Sequence, residues 1–230
     1  DHIHLIFSIY TWGLKSTMLY NEILNEIIKN NFYIYKNRNS VSKLFFYWAV
    51  CGVESTQNRI LKVFKSIFEN SDFDIKEDTY AAVFSAVDKG VPSIVNIIGT
   101  GSNCSYYDGE NVIQKVQSLG YVLMDYASGN YYGKYLIRAY YFNKMPEYLR
   151  EEFAESYDLS PNSIKNKLYR EENPNTYLAS FAKFLIDNKS NEYFKEIIFK
   201  GLERFIDYQI LQYDNFSNVD IHYVGSIAYY

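Results

Sequence analysis

Cysteine and histidine are scarce in this chain of 230 residues, at two and three copies. Cys51 and Cys104 lie far apart with no Cys-x-x-Cys spacing. That excludes a disulfide framework and suits a reduced, cytoplasmic compartment. His2, His4 and His222 are scattered, and the first two share a strand face without a carboxylate, so no metal site is read there. No stretch approaches the roughly 20 apolar residues of a membrane helix. The opening DHIHLIFSIYTW lacks the basic segment that begins a signal peptide. Formal net charge is -4 with no basic run or stripe, which argues against a nucleic-acid partner. A G-x-x-x-x-G-K-[ST] segment is absent, which excludes a P-loop nucleotidase. There is no internal repeat, low-complexity tract or Gly/Ser linker.

What is present is an ordinary globular composition, 48% hydrophobic and 22% charged, sized for one large domain or two small ones. The 25 tyrosines and 16 phenylalanines point to compositional drift and carry no function as a class. Apolar spacing predicts a strand over 2–12 and a helix over 16–30. A buried strand is expected in KLFFYWAVCG, and an amphipathic helix with Ile60, Phe64, Ile67 and Phe68 on one face. A short strand, FDIKED, and a helix, TYAAVFSAVDKG, follow, and this alternation marks an α/β architecture. From Ser93 a second cycle reads strand, glycine turn, strand, Asp108-Gly109 turn, strand. Helices are then expected near 129–142, 147–157, 161–168, 176–187 and 192–213, before the strand VDIHYV runs into Gly225-Ser226. The chain opens on Asp1 rather than Met and stops at Tyr230 inside an element, so both ends of a longer protein are expected to lie outside it.

Three places carry chemistry. In IIGTGSN the apolar run Ile94–Ile98 ends in Gly99-Thr100-Gly101-Ser102-Asn103. Glycine-lined turns let phosphate oxygens reach bare main chain, and Thr100, Ser102 and Asn103 add polar groups, although a hairpin turn needing positive φ would use the same residues. Asp78 ends a strand and starts a helix, as an N-cap does. It is also placed as a general base would be, beyond the carboxyl end of a strand. Asp125 precedes Ser128-Gly129 and a long helix, and reads either as a cap or as a carboxylate for sugar hydroxyls.

Taken in order, Asp-x-x-Ala-Ala, Gly-Thr-Gly-Ser-Asn, Leu-Gly-Tyr-x-Leu-x-Asp-x-x-Ser-Gly and Val-Gly-Ser-Ile-Ala resemble one family over nearly the whole chain. It is the N-acetylglucosamine kinase-like branch of the BadF/BadG/BcrA/BcrD ATPases, in the hexokinase, actin and heat-shock-70 superfamily. The resemblance implies an α/β fold of two ribonuclease-H-like, actin-like ATPase domains, 1–82 and 83–230, around a cleft, the second rich in helices. It implies ATP-dependent phosphorylation of an amino sugar with Mg²⁺, with Asp78 as the catalytic base. Gly99, Gly101, Ser102, Gly225 and Ser226 would meet the nucleotide, and Thr100, Asn103, Gly120 and Asp125 the sugar. A homodimer is the family-based expectation.

Three departures bear on that expectation. Met124 and Ala127 stand where the family has glycines, and Tyr126 where it has Glu. The family's first phosphate loop would lie just before Asp1. A drifted homologue that binds sugar or nucleotide without transfer, as sensor or scaffold, is the alternative. The reductase-activating branch, which holds an iron-sulfur cluster through cysteines, is not matched by the surroundings of Cys51 and Cys104.

Overall fold

The structure is a computed structural model and describes residues 21–48 and 51–230. The strand expected over 2–12 and the first turn of the helix expected from 16 lie outside these residues. The chain divides into two compact units between Ala81 and Ala82.

In the first unit, helices α1 (Asn21–Asn30) and α2 (Phe32–Lys36) precede strand β1 (Lys43–Tyr47), helix α3 (Glu54–Lys65) and strand β2 (Asp72–Lys76). β1 and β2 pair in parallel, Lys43 opposite Asp72 through Tyr47 opposite Lys76. Side chains alternate across a strand, so Leu44, Phe46, Phe73 and Ile75 share the face that packs on Ile60, Phe64 and Phe68. The Phe64 ring stacks on Phe73 at 6.0 Å and meets Phe46 edge-on at 5.1 Å. The run KLFFYWAVCG was expected to be a fully buried strand. Instead β1 stops at Tyr47 and leaves Phe45 56% exposed. Among the described residues only one face of this two-stranded sheet is covered.

Helix α4 (Asp78–Ala86) crosses the division and leads into β3 (Ser93–Ile98), β4 (Ser102–Tyr107) and β5 (Val112–Ile113). The second unit holds a four-stranded sheet in the order β5-β4-β3-β6. β4 runs antiparallel to β3 and to β5, while β6 (Asp220–Val224) lies parallel to β3. The Asp108 carboxylate accepts the N–H groups of Glu110 and Asn111, which closes the β4–β5 turn and holds its pKa below the ordinary value.

Between β5 and β6 come α5 (Gly129–Tyr141), α6 (Glu147–Ser156), α7 (Pro161–Tyr169), α8 (Pro174–Ser180), α9 (Ala182–Asp187) and α10 (Glu192–Tyr208). They cover the sheet face that presents Ile94 and Ile98, and much of the aromatic content is spent there. Phe153 sits 5.0 Å from Phe184, and Tyr157 4.8 Å from Phe181, the tilted geometry that aromatic pairs favour. Val95 and Tyr107 face the other way, onto Val83 of α4.

The helix expected over 176–187 is split at Phe181, where the chain tightens to i→i+3 bonds and buries that ring. The helix expected to reach Tyr213 ends at Tyr208. The Tyr213 hydroxyl lies 3.1 Å from the Cys104 carbonyl and 3.2 Å from that of Ile113, and this anchorage turns the chain back through Ile210–Gln212. After β6 the short helix α11 (Ser226–Tyr229) begins at Gly225. Among the described residues no helix is long and apolar enough to cross a membrane.

Candidate functional site

The second unit gathers most of the singled-out residues at the carboxyl end of β3. The Gly99 N–H donates to the Gly101 carbonyl at 2.9 Å, closing the turn on itself. Two turn carbonyls are occupied from α5: Gly99 accepts the Gly129 N–H at 2.7 Å and Thr100 the Asn130 N–H at 3.0 Å. The Thr100 and Gly101 N–H groups have no acceptor among the described residues. A turn whose carbonyls are consumed and whose amides stay unpaired presents donors outward, which is the arrangement that holds anions.

Asp125 is folded against this turn. It is buried at φ 64, and its main-chain carbonyl accepts the Ser128 hydroxyl at 2.6 Å. Ser128 in turn caps α5 by accepting the Tyr131 N–H. The Asp125 carboxylate accepts the Asn130 side-chain amide at 3.1 Å. A Cβ placed on Gly101 would stand 2.7 Å from that carboxylate, so glycine there is what lets the acid approach the turn. The Ser102 hydroxyl is buried and donates to the Tyr126 carbonyl at 2.7 Å, tying β4 to the Asp125 segment. Asn103 lies on the opposite face of β4, with a buried side-chain oxygen that has no partner among the described residues.

The start of α11 completes this end of the sheet. Gly225 has φ 121, and a Cβ on it would stand 2.5 Å from the Ile98 carbonyl oxygen. That close passage sets the Ser226 N–H and hydroxyl each 3.9 Å from a Cβ position on Gly99. Gly99, Thr100, Gly101, Ser102, Asp125, Gly225 and Ser226 are therefore neighbours. Gly120 has φ 81, its carbonyl accepts the N–H groups of Leu123 and Met124, and its Cβ position faces open space. Ala127 holds φ 61 with its methyl fully buried in the helical core.

Asp78 is the first residue of α4, at the carboxyl end of β2, in the first unit. Its side chain keeps contact with solvent, yet the protein beneath lifts its pKa above the ordinary 3.8, against the pull of main-chain N–H donors. Glu77 beside it is raised as well, by burial and then by the Asp78 charge, while the Thr79 hydroxyl counteracts. The same two acids, after burial itself, push the Cys51 thiol up to about 11. Glu77 and Asn130 escaped sequence reasoning, since an acid before Asp78 and an amide inside a helix carry no pattern of their own. Among the described residues no three His, Cys, Asp or Glu side chains are grouped to hold a metal.

This architecture has solved counterparts. The crystal structure of the "Putative N-acetylglucosamine Kinase" from Porphyromonas gingivalis matches with a TM-score of 0.82 and 24% identity, over 95% of this chain and 77% of that one. The likeness is one of fold. A "Putative N-acetylglucosamine Kinase" from Chromobacterium violaceum matches at a TM-score of 0.58 and 16% identity, over 80% of this chain and 65% of that one. No protein-family model and no curated protein matches the sequence.

Proposed function

We propose that the protein phosphorylates an amino sugar at the expense of ATP, in the manner its structural neighbours' names suggest. The observation that carries this reading is the turn at the end of β3, with the unpaired Thr100 and Gly101 amides beside the Asp125 carboxylate. In this reading the two units are the ribonuclease-H-like halves of an actin-like ATPase. Gly99, Gly101, Gly225 and Ser226 meet the nucleotide, whose phosphate oxygens suit amide donors with no Cβ in front of them. Ser102 holds the Asp125 segment to β4. Asp125 accepts hydroxyls of the sugar, and Thr100 gives it a further polar contact.

Asp78 takes the proton from the attacking hydroxyl. Burial raises its pKa above the ordinary 3.8, which brings it nearer to that of the proton it must remove. Mg²⁺, when bound with ATP, would supply neutralisation of charge at the transferring phosphoryl group.

The test is a coupled ATP-turnover assay of the full-length protein against hexoses and hexosamines. N-acetylglucosamine should stimulate turnover, and Asp78→Asn should lower the rate about 10²- to 10⁴-fold, the usual worth of a general base, with sugar binding retained. A protein that binds the sugar but never turns over ATP is the sensor or scaffold instead.

A further inference from the structure

A groove of about 680 Å³ runs between α5 and α10 in the second unit, flanked by the 122–126 segment. Its charge is of one sign. Lys134, Arg138, Lys144, Lys200 and Arg204 line it, and among the described residues no Asp, Glu, Asn or Gln does. Only Lys200 has a carboxylate within ion-pair distance among the described residues, Glu196 at 2.6 Å on the same helix and well exposed. Lys134 and Arg138 are one turn apart on α5, as are Lys200 and Arg204 on α10, so each helix presents two cations on one face.

Aromatic rings accompany them. Tyr126 lies 5.5 Å from Tyr131, the Arg204 guanidinium sits 5.9 Å from the Tyr126 ring, and Tyr135 also lines the groove. Apolar Val122, Leu123 and Phe142 remain more than 60% exposed at its edges. Lys134 donates to the Tyr121 carbonyl. Burial depresses its pKa and the nearby Asp125 carboxylate partly restores it.

We propose that this groove is a binding site, separate from the β3 turn, for a nucleotide-class ligand: a flat base stacked on tyrosine and phosphates held by the facing cations. Phosphate suits arginine and lysine donors. A hydroxyl-rich sugar would want carboxylate or amide acceptors, and the lining has none, whereas tyrosine and aliphatic walls accept the face of any base. With no amide or carboxylate to read base edges, the site discriminates little between bases. The 122–126 segment that flanks it also carries Asp125, so occupancy bears on the turn directly. The proposal depends on the kinase reading only in treating the β3 turn as a distinct nucleotide site.

The experiment is calorimetric titration of the full-length protein and of its Arg138→Gln/Arg204→Gln variant with ADP, GDP, pyrophosphate and N-acetylglucosamine 6-phosphate. ADP and GDP should bind a class of site within about threefold of each other, and the variant should weaken that class by about tenfold or more. Raising salt from 50 to 200 mM should weaken it too. Should the variant fold poorly, Arg138→Lys/Arg204→Lys keeps both charges and must retain ADP binding within a few-fold. Coincident isotherms for wild type and the glutamine variant overturn the proposal. So does sugar phosphate binding as tightly as ADP, or a dimer that falls apart in the variant, which would make the groove an interface between copies. If no sugar supports ATP turnover yet one class of ADP site is lost in the variant, the groove stands and the kinase reading alone falls.

Discussion

Adding one methyl group at Gly101 tests whether the Asp125 carboxylate really lies against the β3 turn. Gly101 is not among the residues with positive φ, so alanine meets no backbone penalty there and the substitution isolates the question of space. The new Cβ would stand 2.7 Å from Asp125 Oδ2, where ordinary contact begins at 3.4 Å, so the two must part by about 0.7 Å. Asp125 is pinned by the Ser128 hydroxyl on its main chain, which leaves side-chain rotation as its way out, and that rotation strains its bond with Asn130. Overpacking costs about 1–3 kcal/mol, and weakening a bond to a charged group up to about 1.5–3 kcal/mol. Gly101→Ala should therefore destabilise the protein by about 2–4 kcal/mol, lowering its thermal midpoint by about 5–15 °C at this size. Asp125→Gly supplies the control, since glycine accepts the positive φ at that position. In that background the nearest remaining atom to the new methyl is the Asn130 amide nitrogen at 3.8 Å, an ordinary contact. The double-mutant cycle should then give a coupling of about 2 kcal/mol or more. Equal losses in both backgrounds, or no loss in either, would refute the proximity and with it the turn as a two-sided site.

Three further outcomes are expected. Tyr213→Phe removes a hydroxyl that accepts the Lys115 N–H and reaches the carbonyls of Cys104 and Ile113. Leaving them unpaired should cost about 1–3 kcal/mol in denaturant unfolding. Cys51 and Cys104 are buried, with thiol pKa values pushed up to about 11 and about 12. Maleimide mass labelling at pH 7 should therefore leave both unmodified until the protein unfolds. Asp78 and Glu77 have pKa values raised in the folded state. Folding thus keeps protons that the unfolded chain releases, and the contribution is greatest below about pH 4 and is lost as pH rises through the raised values. Melting midpoints followed from pH 4 upward should show this decline, and Glu77→Gln/Asp78→Asn should flatten it. Under the proposed mechanism, turnover should climb over the same window, because only ionised Asp78 accepts a proton.

How far such a site can be read from sequence depends on whether its parts lie on one local segment. The turn Gly99–Gly101 was legible because an apolar strand that ends in two glycines advertises itself, and the caps of α5 and α11 follow from Ser128 and Gly225 by local rules. The split at Phe181 and the early end of α10 were not legible. Each is imposed by a distant partner, the aromatic core around Phe153 in one case and the carbonyls of β4 and β5 in the other, and periodicity inside a helix holds no trace of either. The same reason separates Asp125 from Asn130. The acid stands in a recognisable motif, while the amide that positions it is one polar residue on a helix until the fold turns it back. Asn103 stands beside the glycines in sequence, and only strand pairing shows that it points away from Ser102. The cationic groove makes the strongest case. Lys134 with Arg138 and Lys200 with Arg204 are each an unremarkable pair on a solvated helix face, separated by some sixty residues. Their meaning comes from two helices being set side by side with no acid among the described residues that line the groove, and charge patterning of one helix at a time cannot supply that.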